Sequence, residues 1–151
     1  METLSVIHTV ANRLRELNSD MDISISSADA QEYIPTEQQI TVLIHYCGSV
    51  FAEPENTDAT VQKQILRISA AVIVPQTSDA IKALDRIRRS LGGLALPDCD
   101  RPLWLESEKY IGDAASFCRY ALDMTASALF IAERESKDLP LLTVVNYEEI
   151  Q

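Results

Sequence analysis

Apolar residues recur at Leu4, Ile7, Val10, Leu14 and Leu17, while Asn12, Arg13, Arg15 and Glu16 fill the positions between them. This spacing predicts an amphipathic helix that stops near Asn18, Ser19 and Asp20. The period then drops to two, with Met21, Ile23 and Ile25 alternating against Asp22, Ser24 and Ser26, which predicts a half-buried strand. Residues 26–33 read as a connection, because Pro35 forbids a helix from running on. Residues 39–51 (QITVLIHYCGSVF) and 61–75 are rich in β-branched and aromatic side chains, as long strands buried on at least one face should be. The polar stretch AEPENTDAT between them predicts an exposed loop, so the two strands form an antiparallel hairpin. Gly48 marks a bulge or bend inside the first of them.

Residues 78–110 carry the most punctuation. Ser78 is placed to cap a second helix, Asp79 suits the positive end of its dipole, and Arg88 and Arg89 suit the negative end. Ile81, Leu84, Ile87 and Leu91 line the face expected to pack on the sheet, and Gly92 is expected to close the helix in a left-handed conformation. Pro97 and Pro102 bracket the charged loop 98–101. Leu103, Trp104 and Leu105 then open a strand. Tyr120, Leu122 and Met124 alternate, which predicts a further strand over 117–124, although FCRYALDMTASALFIAERE also accommodates a helix. A connection near Gly112 and Asp113 would make these two strands a second hairpin. The expected fold is a single α+β domain over residues 1–132, a mainly antiparallel sheet of two hairpins with two principal helices packed on it. A C-terminal extension, 133–151, comes after it, in which LLTVV offers an edge strand or a docking segment.

Composition narrows the functions. A chain of 151 residues is long enough for one ordinary core. Thirteen basic against 23 acidic residues leave a formal net charge of -10, which argues against a nucleic-acid partner. No apolar run approaches the ~20 residues that span a bilayer, and METLSVIHTVANRLREL lacks the basic and apolar regions of a signal peptide. No membrane partner is expected, and the host bacterial cytoplasm is the expected location. Cys47, Cys99 and Cys118 cannot all pair within one chain and read as reduced thiols.

The search for chemistry returns little. His8 and His45, the two imidazoles, sit on different elements, and no metal-ligand spacing accompanies them. His45 and Cys47 share a strand face, the one arrangement suggestive of a nucleophile and its base, but packing is the better reading without an orienting group. Glu106 and Glu108 are expected on one strand face, and Glu133 and Glu135 near the tail, all as solvated carboxylates. Gly92-Gly93 comes after a helix, where a phosphate loop would precede one. No catalytic residue, metal or cofactor is therefore expected. Arg86, Arg88 and Arg89 stand out in an acidic chain, and Arg88, Arg89 and Arg101 are the candidate protein-interface residues, since guanidinium forks hold carboxylates in bidentate fashion. The alternative is a solvated helix face with Asp85 supporting Arg89.

The order helix, long hairpin, helix, then LGGLALPDCDRPLWLES and FCRYALDM resembles the small tail proteins of Mu-like prophages, and through them the tail-terminator or tail-completion proteins of long-tailed phages. The resemblance spans roughly residues 1–132. It implies a non-enzymatic structural protein, assembled with itself as a ring, hexameric in related terminators, on the end of the tail tube. Tube and head-completion proteins are the other partners it implies, and the virion tail a second location. The alternatives are a cytosolic partner-binding protein of prophage origin and, less favoured, a small enzyme using His45 and Cys47.

Overall fold

The computed structural model describes residues 2–26, 32–55 and 60–133. Helix α1, Thr3–Leu17, buries Val6, Ile7, Val10, Ala11 and Leu14. Its inward stripe is therefore rotated from the predicted one, leaving Leu4 and Leu17 in solvent. Strands β1, Asp22–Ile25, and β2, Thr41–Phe51, run parallel, and β2 pairs antiparallel with β3, Val61–Pro75. The β2–β3 hairpin matches its prediction, including a bulge between Tyr46 and Gly48.

Helix α2, Ala80–Leu91, is capped by Asp79 and not by Ser78: the Asp79 carboxylate accepts the backbone N–H of Lys82 at 3.1 Å. A cap of this kind is worth about 1 kcal/mol. Leu84, Ile87 and Leu91 pack inward with Ala83, whereas Ile81 is 70% exposed, because one further turn of helix carries it off the stripe. Gly92 keeps an ordinary φ of -61°, and the left-handed residue is Gly93, at φ 76°. The chain thus turns one residue later than expected.

Strands β4, Trp104–Ala114, and β5, Phe117–Ile131, complete one five-stranded sheet in the order β1-β2-β3-β5-β4. Residues 117–131 are strand throughout, so the helical alternative falls: β5 pairs along its whole length with β3. The β4–β5 turn is not at Gly112. Gly112, at φ 119°, sits at a bulge within β4, and the chain reverses at Ala115 and Ser116, both with positive φ. The fold is a single α+β domain. The expected C-terminal extension, with LLTVV and Glu135, lies outside the described residues from position 134 on.

Both helices cover the same face of the sheet, meeting Val42 and Ile44 of β2, Leu66 to Val74 at alternate positions of β3, and Leu122, Met124 and Ala126 of β5. Burial of this size is the main stabilising term of a domain. Polar contacts then fix the helix layer: Asn18 donates to Ser90 Oγ at 2.9 Å, and Arg86 grips both carboxylate oxygens of Asp20 at 2.5 and 2.9 Å. On the opposite face, a smaller cluster of Leu43, Ala71, Ile73 and Phe117 lies under Tyr33 of the β1–β2 connection. Buried Arg119 of β5 donates to the Tyr33 carbonyl at 2.6 Å and holds that connection down.

Candidate functional site

The helix layer does not reach the end of the sheet. The helix-side core ends at Leu66 on β3 and Ala126, opposite it on β5. Beyond them β2, β3 and β5 continue together as a three-stranded arm, about 16 Å over residues 61–65 at the usual rise per residue. The register puts Phe51 opposite Gln64 on the helix side, and Phe130 opposite Gln62 on the same side. Val50, Leu129 and Ile131 take the other side. Consecutive apolar residues at a strand end thus wet both faces of the arm: Phe51 is 48%, Phe130 42% and Ile131 63% exposed. Phe51 and Phe130 meet edge to face, with centroids 5.8 Å apart.

The arm is braced from within. Gln64 donates to Ser49 Oγ at 3.0 Å, Ser49 bonds the Tyr46 hydroxyl at 2.6 Å, and Gln62 donates to the Ala52 carbonyl at 2.9 Å. Exposed Glu53, Glu55 and Glu133 rim its tip. Large apolar groups are thus presented to solvent on an acid-rimmed edge, an exposure that suits contact with a partner.

The three arginines singled out in the sequence lie in different settings. Arg88 pairs with Asp85 one turn earlier and with Glu108 on β4, so it ties α2 to the sheet. Asp85 thus supports Arg88 and not Arg89. Arg101 stacks on Trp104, its guanidinium carbon 3.8 Å from the ring centroid, and donates to the Thr125 carbonyl and hydroxyl at 3.3 and 3.1 Å. It binds the loop before β4 to β5. Arg89 is exposed and, among the described residues, has no ion-pair partner. It borders a hollow of about 260 Å³ between the helices, lined also by Leu17, Asn18, Arg86 and Ser90.

The expected pairing of Glu106 and Glu108 on one face does not occur. A bulge between Leu105 and Ser107 turns Glu106 to Arg67 on the open face, at 3.1 Å, and leaves Glu108 facing α2. His45 and Cys47 do not form a reactive pair either. The Cys47 thiol donates weakly to the His45 backbone carbonyl at 3.8 Å, and burial, then the Asp123 charge, pushes its pKa up. A nucleophilic cysteine needs the reverse shift. Burial likewise pushes Cys99 and Cys118 up, and all three cysteines are free. Among the described residues no group of His, Cys, Asp or Glu is arranged to hold a metal ion, and no helix is long and apolar enough to cross a membrane.

Sequence reasoning missed the arm. Its signal was present in Leu129-Phe130-Ile131, where alternation gives way to three successive apolar residues, but a strand predicted to end at 124 did not reach them.

A family model described as Gp37 protein matches residues 10–149. No curated protein matches the chain in sequence. Among solved structures, a chain of the virion of a native gene transfer agent particle is 14% identical, over 84% of this chain and 93% of that one, with a TM-score of 0.49.

Proposed function

The chain belongs to the Gp37 protein family, and from that premise we propose that it is a structural component of a phage-type particle, a tail terminator or completion protein that caps the tail tube as a ring. The observation that carries the assembly is the apolar arm, exposed on both faces beyond the helix layer. The tail role is supported by the resemblance of LGGLALPDCDRPLWLES and FCRYALDM to small tail proteins. The role is structural and not catalytic, in keeping with the upward push that burial gives the Cys47 pKa and the separation of Glu106 from Glu108.

A rigid arm from one copy that meets a different surface on the next is a heterologous contact, and repetition by rotation closes such contacts into a ring. A hexamer is the ring size that the resemblance implies. Burying both faces of the arm withdraws several large apolar side chains from water, the main favourable term in association. The two rims of the ring would then face the tube on one side and a head-completion protein on the other. Assembly takes place in the host cytoplasm, and the protein leaves in the virion tail.

Electron microscopy of tails assembled with and without the protein tests this reading. Its absence should give tubes of uncontrolled length that lack heads. Tails of normal length in its absence would reject the terminator role.

A further inference from the structure

We infer that the arm of one copy seats in the hollow between α1 and α2 of a second copy, with Phe51 and Phe130 against Leu17 and with Glu53 and Glu55 facing Arg89. This contact rests on the ring reading above and names the two surfaces that make it. Charge complementarity selects the pair. The tip of the arm carries Glu53 and Glu55 with no cation between residues 51 and 60, whereas Arg89 on α2 is an exposed cation without an ion-pair partner among the described residues. Opposite patches on one molecule favour head-to-tail association over like-to-like contact.

The hollow suits an inserted side chain more than a free ligand. Its volume of about 260 Å³ falls below the ~300–1,000 Å³ of small-molecule pockets. Leu17 supplies an apolar wall, 50% exposed, and Arg89 supplies a guanidinium with no ion-pair partner among the described residues. Neighbouring Arg86 and Arg88 are already engaged by Asp20, Asp85 and Glu108, so their positions are held while Arg89 is left for a partner. Nor can the arm reach the hollow of its own subunit, because its three strands continue the sheet on which the helices rest. The receiving surface must belong to another copy.

Two charge-reversed proteins test the contact, Arg89→Glu and the double variant Glu53→Arg/Glu55→Arg, with assembly followed by sedimentation velocity. Circular dichroism should show both folded, since all three positions are exposed. Each variant alone should assemble about tenfold more weakly or worse. Mixed in equal amounts they should recover, because each arm then finds an oppositely charged hollow on the other variant. Recovery excludes misfolding as the cause of the single defects. If wild-type protein assembles and Arg89→Glu assembles equally well, this contact is wrong while the ring survives. Loss without recovery on mixing also overturns it. A wild-type chain that stays monomeric at all concentrations, with or without tail tubes, removes the ring reading and this contact together.

Discussion

Tyr110 shows how one hydrogen bond dominates the titration of an exposed side chain. Its hydroxyl donates to the Asp113 carboxylate at 2.6 Å, and that bond, more than desolvation or the charge itself, pushes its pKa up to about 12. The sign is set by the partner: losing the proton removes the donor and sets a phenolate against a carboxylate, so the neutral form is favoured. Tyr110 should remain neutral from pH 10 to about 12 while an ordinary tyrosine ionises. Asp113→Asn should return its titration towards pH 10, followed through the ring carbon shifts by NMR. An unchanged titration in the variant would remove the bond as the cause. The sequence contains Tyr110 and Asp113 three positions apart, but only the bulge at Gly112 brings both onto the same side of β4.

At the scale of the element, the β4–β5 turn is where local preference and fold disagree. Gly112-Asp113 reads as a turn by residue type, yet the sheet uses Gly112 as a bulge and makes Ala115 and Ser116 adopt φ of 54° and 69°. Positive φ at both central residues is the mark of a type I′ turn, whose favoured residues are Asn and Gly. The pairing of Phe117 with Ala114, continued by fifteen paired positions between β3 and β5, holds the turn in place against its own residues. Ala115→Asn combined with Ser116→Gly should therefore stabilise the protein by roughly 1–2 kcal/mol, since glycine at 116 removes one left-handed penalty of that order and asparagine at 115 only eases the other. Urea denaturation measures it. A destabilised variant would show that the turn is relaxed as it stands.

The whole molecule contains two apolar populations with different work. Ile68, 1% exposed at the centre of β3, belongs to the folding core, whereas Phe51 and Phe130 lie outside it. Ile68→Ala should cost about 2–5 kcal/mol of folding stability. Phe51→Ser/Phe130→Ser should change folding by much less and abolish assembly. Denaturant midpoints and sedimentation velocity on both variants separate the two effects; a pair of phenylalanine substitutions that unfolds the domain would place the arm in the core after all.

The sequence by itself determined the elements and their class. Period 3.6 over residues 3–17 and 80–91 and β-branched runs over 41–51 and 61–75 are local properties, and each produced the helix or strand it predicted. It also determined the charge contrast between α2 and the 52–60 loop, which needs only residue identity. Tertiary structure alone decided which residues of each helix face inward, because Leu17 and Ile81 match the helical period and yet stay exposed. It alone separated Glu106 from Glu108, since one bulge residue reverses the facing of the strand positions after it. The arm, too, exists only relative to the helices. Phe51 and Phe130 are exposed because the helix layer ends before the strands do, a difference in length between elements far apart in the chain.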